Sequence, residues 1–235
     1  MSASSPAVHA LLGHLEAVGF EGAPRVLGID DQGRQILSYV PGRAATRPLP
    51  AYAVGDEALV DLAVLVRRFH DAVRSFAPPP DARWEGGSAD DAAPELIGHC
   101  DITPENVIFR GKRPWALIDF DMARPTTRLF DAVTALRHWA PIADPIDRDP
   151  LQRDLDVGAR LRLFCDAYGF EARDRRRLLE LSRLRFDRSY VAMRSRALTN
   201  GGGWARMWED GAGERIRRAS AWLDTHWDEL DAHLH

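Results

Sequence analysis

Two short apolar runs, Asn106-Val-Ile-Phe109 and Trp115-Ala-Leu-Ile118, flank Gly111-Lys-Arg-Pro114, and this pattern constrains the chain more than any other. Apolar runs bounded by a Gly/Pro turn predict an antiparallel hairpin. The open end of that hairpin is polar: Asp101 lies just before the first run, Asn106 opens it and Asp119 follows the second. A tight hairpin sets the start of one strand beside the end of its partner. Asn106 and Asp119 are therefore expected as neighbours, with Asp101 facing them from the preceding loop. An amide oxygen and a carboxylate form a hard oxygen site suited to Mg²⁺. A carboxylate free of the ion can accept a proton from a substrate hydroxyl. Phosphoryl transfer needs these parts and little covalent work from the protein.

The rest of the chain reads as an α+β arrangement. Val8, Leu11, Leu12, Leu15 and Val18 recur at helical spacing and predict a helix over 7–18. Two runs, 25–29 and 35–40, meet at Asp30-Asp-Gln-Gly33 and predict a first hairpin. Pro41-Gly42 closes it, and residues 43–55 read as a linker rich in Pro, Ala and Arg. Leu59, Leu62, Leu65, Val66 and Phe69 predict a helix over 56–76, stopped by Pro78–Pro80. Helices are expected at about 128–140, 151–168, 174–197 and 213–233. His70 and Cys165 read as packed helix residues, the tryptophans at 204, 208, 222 and 227 as core or groove lining, and the arginines at 173 and 175–177 as a solvated face.

The stretch Gly98-His-Cys-Asp-Ile-Thr-Pro-Glu-Asn-Val-Ile-Phe109, followed by Leu117-Ile-Asp-Phe-Asp121, resembles the aminoglycoside phosphotransferase/choline kinase family of the protein-kinase-like fold. That family carries His-Gly-Asp-x-x-x-x-Asn and then Ile-Asp-Phe/Trp-Asp/Glu. The resemblance implies Asp101 as catalytic base and His99 as the histidine that buttresses the catalytic loop. It implies Asn106 and Asp119 as metal ligands, with Asp121 as a second acidic residue at the metal site. Cys100 stands where the family usually has glycine. Asp131 resembles a helix aspartate that braces the catalytic loop through its backbone. Residues 25–42 look like the last N-lobe strands and the interlobe hinge, where Ser38, Tyr39 and Val40 would meet the base of ATP or GTP. The implied fold is a protein-kinase-like one with a truncated, β-containing N-lobe (1–42) and a mainly helical C-lobe (43–235).

Part of that family's N-lobe is missing from the pattern. No glycine-rich strand–turn–strand precedes the first helix, and the sole lysine, Lys112, lies in the second hairpin's turn. Three readings stay open: a reduced lobe that grips phosphate with arginine or backbone, a chain that begins further upstream, or a kinase-like binding module that transfers nothing. An exposed strand edge in the shortened lobe would favour pairing with another chain, so a homodimer is an expectation.

Bulk numbers narrow the partners. With 45% hydrophobic and 28% charged residues the chain has the make-up of a globular enzyme. A net charge of −4 gives no electrostatic footprint for nucleic acid. No apolar run approaches a membrane span, and the N-terminus lacks a signal-peptide pattern. The two cysteines have no metal-type spacing, so a reduced, cytoplasmic setting is expected. The expected ligands are a nucleoside triphosphate, Mg²⁺ and a small hydroxyl-bearing acceptor. The first 98 residues carry an acidic excess and the remainder is nearly balanced, which gives polycationic acceptors no special support.

Overall fold

A computed structural model describes residues 2–235. The chain is mixed α+β with a mainly helical C-terminal part. It opens with α1 (Ser5–Ala17), then β1 (Val26–Ile29) and β2 (Gln35–Leu37), which pair antiparallel with each other alone. Leu27, Ile29, Ile36 and Tyr39 stand exposed on and just beyond this ribbon.

The segment read as a linker is ordered. β3 (Arg43–Ala44) joins β5 (Val107–Arg110), which pairs in turn with β6 (Arg113–Leu117), so the expected hairpin is the core of a three-stranded sheet. Its connection is tighter than Gly111–Pro114: Arg110 pairs directly with Arg113, and Gly111 takes φ 63°, a left-handed turn conformation that glycine adopts without strain. α2 (Ala51–Val54) leads into α3 (Asp56–Val73), whose buried face is the predicted one.

A third sheet has no sequence forecast: β4 (Leu96–Gly98) pairs antiparallel with β7 (Arg124–Thr126). The helical part comprises α4 (Arg128–Trp139), α5 (Val157–Tyr168), α6 (Ala172–Thr199), α7 (Gly202–Glu209), α8 (Ala212–Thr225) and α9 (Trp227–Leu234). The helix expected over 213–233 is thus two. The break falls at His226, whose Nδ1 bonds the Trp222 carbonyl at 2.8 Å. No described helix is long and apolar enough to cross a membrane.

One apolar core runs from α1 to α9. Phe120 is central to it, 5.8 Å from Phe69 of α3 and 4.6 Å from the His99 ring. This packing fixes the residues on either side of Phe120, which are the two aspartates of the site.

Candidate active site

β4 delivers the loop that carries His99 and Asp101. Gly98 is required at its end: a Cβ there would lie 2.4 Å from Thr126 Cγ2 and 2.8 Å from the Asp131 carboxylate. That close approach lets Asp131, fully buried in the first turn of α4, hold the loop. Its Oδ2 accepts from the His99 N–H at 2.9 Å and its Oδ1 from the Cys100 N–H at 2.7 Å. A third donor is His70 Nε2, at 2.9 Å from Oδ2. The Tyr168 hydroxyl lies 2.7 Å from His70 Nδ1. Burial pushes Tyr168 up to about 12, so it keeps its proton and donates to Nδ1, which sets the His70 tautomer that donates to Asp131. Burial opposes the Asp131 charge, but His70 and the loop N–H groups outweigh it and hold this carboxyl below its ordinary range.

His99 is buried and links the two motif segments. Its Nε2 donates to the Ile118 carbonyl at 2.9 Å, and its Nδ1 accepts from the Asp101 N–H at 3.3 Å. The Trp139 indole adds a 2.8 Å bond to the Ile102 carbonyl. Ile118 N–H bonds the Asn106 carbonyl at 2.9 Å, which sets the open end of the hairpin as the sequence implied. Asn106 turns its Nδ2 toward Asp101, 2.9 Å from the carboxylate and 3.0 Å from the main-chain oxygen. Its amide oxygen is thereby left as an acceptor for a cation.

Cys100 and Asp119 are the non-glycine residues with positive φ among those described, at 60° and 62°. Such a conformation costs roughly 1–2 kcal/mol for a residue with a Cβ, and strain of this kind gathers at functional sites. It also explains why glycine is the natural occupant of position 100.

Asp101, Asp119 and Asp121 repel one another. Burial first, and then the Asp119 charge, raise the Asp101 carboxyl above its ordinary range. Asp121 is raised by burial, then by Asp119 and Glu85. Crowded carboxylates beside a free amide oxygen fit a divalent cation. Among the described residues no three His, Cys, Asp or Glu side chains close into a cage.

Ser38 is bonded to the first ribbon through its N–H and hydroxyl. Its N–H bonds the Arg25 carbonyl at 2.8 Å, and its hydroxyl accepts from Arg25 N–H at 2.9 Å. The Ser38 backbone donor is committed to the β1–β2 ribbon.

On the other side of Asp101 opens a cavity of about 420 Å³, walled by β7, α4, α6, α7 and α8. It reaches Cys100, Asp101 and Thr103 but not Asn106 or Asp119. Of its lining, sequence reasoning had reached Cys100, Asp101 and Trp204 but not the arginines. Arg124, Arg137, Arg185, Arg196 and Arg215 come from four different elements and meet only in the fold.

The profile of the "Phosphotransferase enzyme family" matches residues 82–179, which hold the catalytic loop and both hairpin ends. The trifolitoxin immunity protein of Rhizobium leguminosarum bv. trifolii is 33% identical over 181 residues, 73% of this chain and 66% of that protein. Over residues 82–179 the chain is similar to the phosphotransferase enzyme family. It spans just under two thirds of the immunity protein's length. Solved members of the kinase-like fold align along nearly the whole chain. An amicoumacin kinase, solved in complex with AMP-PNP, Ca²⁺ and Ami, superposes with a TM-score of 0.66 at 12% identity, covering 96% of this chain and 78% of the kinase. The ethanolamine kinase of Plasmodium vivax gives 0.61 at 11%, with coverage of 93% and 73%. At these identities the likeness establishes the fold alone. Within the family frame, Asp101, Asn106 and Asp119 occupy the motif positions, and Asp131 meets the loop backbone as that frame implies.

Proposed function

We propose that this protein transfers the γ-phosphoryl group of a nucleoside triphosphate to the hydroxyl of a small molecule. The observation that carries the reading is Asp101: a partly buried carboxylate, raised above its ordinary range, between an oxygen-donor site on one side and an open-mouthed cavity on the other. A raised carboxylate is a stronger base. The acceptor hydroxyl lies in the cavity, its proton passes to Asp101, its oxygen bonds to phosphorus, and the bond to the β-phosphate oxygen breaks. Asn106 keeps the Asp101 carboxylate aimed through its Nδ2. Asn106 Oδ1 and Asp119 would hold Mg²⁺, with Asp121 beside them. When bound, the ion neutralises charge on the phosphates. His99 and Asp131 position the loop and touch no substrate. Tyr39 and Val40 offer backbone groups for the nucleotide base.

The donor is held loosely. Lys112 sits at the hairpin turn beside Asp56, Glu57 and Asp61, away from the phosphate side. Without a phosphate-binding lysine, a charge-assisted contact worth about 1.5–3 kcal/mol is absent, and nucleotide binding in the high micromolar range is expected. The test is calorimetry with ATP and with GTP, each with and without Mg²⁺. Asp119→Ala removes metal-dependent binding, whereas Asn106→Ala weakens it less, because a carboxylate gives the ion a full charge and an amide only a dipole. Equal binding by wild type and Asp119→Ala would show that no metal site lies there.

The immunity protein favours a second reading at the level of the cell: protection against a toxic small product. Modification and sequestration are separated by Asp101→Asn, which ends protection in the first case and preserves it in the second.

A further inference from the structure

The cavity beside Asp101 is lined by five arginines and a single carboxylate, Asp101 itself. Arginines elsewhere in the fold pair with acids, as Arg160 does with Asp56 and Arg218 with Asp147. Those of the cavity mostly do not. Arg124 donates to the carbonyls of Ser88 and Met122. Arg185 donates to the hydroxyls of Thr134 and Ser189, at 2.9 and 2.6 Å. Arg215 reaches only the Asp210 carbonyl, at 2.6 Å. Arg196 alone has an acid, Glu85 at 3.1 Å. Arg137 makes no hydrogen bond among the described residues; its guanidinium rests over the Phe186 ring, 5.4 Å from the centroid.

Arg137 and Arg215 also wall a second cavity of about 400 Å³, to which Arg47 and Arg148 contribute. The guanidinium of Arg137 therefore stands where two hollows meet, among the like charges of Arg185, Arg215 and Arg47, with one carboxylate, Asp147, on the wall of the second cavity. Burial, followed by the charges of Arg185 and Arg215, lowers its pKa to about 9. The same field acts on His138, held well below the ordinary imidazole range by burial and then by Arg137, Arg185 and Arg47. Buried charges are retained when something pairs with them. Arg137, Arg185 and Arg215 are half-buried and none makes a direct ion pair; Asp147 and Asp101 act on Arg137 and Arg185 through their charge alone, and Asp147 is already paired with Arg218, while planar guanidinium forks match carboxylate and phosphate oxygens two at a time.

We propose that the acceptor is an anion: a hydroxyl-bearing small molecule whose carboxylate or phosphate group is gripped by Arg137 and Arg215, with Arg185 between that group and Asp101. This rests on the phosphotransferase reading for the role of the hydroxyl, while the anion site itself stands on the arginines. A polycationic acceptor is disfavoured by the same field.

The test is calorimetry on the full chain without nucleotide, using gluconate, glycerol 3-phosphate and inorganic phosphate as anions, glycerol as the neutral control and kanamycin as the cation. Saturable binding is expected for the anions alone. The carboxylate and phosphate arms show which oxyanion the site prefers. Arg137→Gln and Arg215→Gln each lower anion affinity about ten- to a hundredfold and leave ATP affinity unchanged. Because Arg137 holds no hydrogen bond, its replacement removes repulsion, and the Tm of the free protein does not fall. The proposal is overturned if no anion binds saturably, if kanamycin binds in their place, or if both variants bind anions as wild type does. A loss of ATP affinity in the variants, with anion binding intact, would also overturn it by assigning the arginines to the donor's phosphates. Failure of the phosphotransferase reading looks different: anion binding persists and depends on Arg137, yet no phosphoryl transfer to any bound anion is detected.

Discussion

Asp101→Asn is expected to reduce phosphoryl transfer by about 10²–10⁴-fold, the range of a general base, while nucleotide affinity stays within a few-fold. The asparagine keeps an oxygen toward Asn106 Nδ2, so the loop retains its geometry and loses only its proton acceptor. The pH profile carries a second signature. Transfer needs ionised Asp101, and its raised pKa places the acid limb of the wild-type profile above the ordinary carboxylate range. That limb vanishes in the variant. Stability moves the other way. A carboxyl whose folded pKa exceeds its unfolded one binds a proton more readily when folded, so its ionisation lowers stability as pH rises through that window. Asp101→Asn removes this penalty, and at neutral pH its Tm is expected to equal or exceed that of wild type. A variant with wild-type turnover and an unchanged acid limb would remove Asp101 from the mechanism.

The catalytic segment was legible because its signals are local. The hairpin shows itself in two apolar runs around a glycine, and His99, Asp101 and Asn106 lie within one loop and turn. What stayed hidden depends on tertiary placement or on elements too short for a period. β4 and β7 are three residues each, and β3 only two, so neither alternation nor turn chemistry marks them. From Glu214 to 233 helical periodicity runs on without glycine or proline, so nothing in the sequence marks the break at His226. The arginines near 175 do form a solvated face: Arg173, Arg176 and Arg177 are exposed, and Arg175 alone is partly covered, bound to Asp166 at 2.6 Å. His70 was legible only as a packed helix residue. Its link between Tyr168 and Asp131 needs three helices brought together.

Asp131→Ala carries the largest expected effect on stability. The carboxylate is fully buried and accepts from His70, His99 and Cys100. Its removal leaves two main-chain N–H groups and an imidazole donor without partners at a site closed to water. Breaking a buried charged network by deleting one member costs about 3–5 kcal/mol. In a chain of this size that is a fall in Tm on the order of 10 °C. Asp71 is the control. It too accepts from two partners, Arg67 and Arg128, but it is 48% exposed, and surface ion pairs contribute roughly 0–1 kcal/mol. Asp71→Ala should therefore change Tm by a small fraction of the Asp131→Ala effect. The acid side separates them further. Asp131 has a lowered folded pKa, so its contribution is complete above the ordinary carboxylate range and disappears as pH falls through the lowered value. Asp131→Ala is destabilised most at neutral pH and converges on wild type in acid. Transfer is lost with it, because His99 and Cys100 no longer hold Asp101 in register with the open end of the hairpin. If the two alanine variants melt within a degree of each other at neutral pH, Asp131 is not the brace of the catalytic loop.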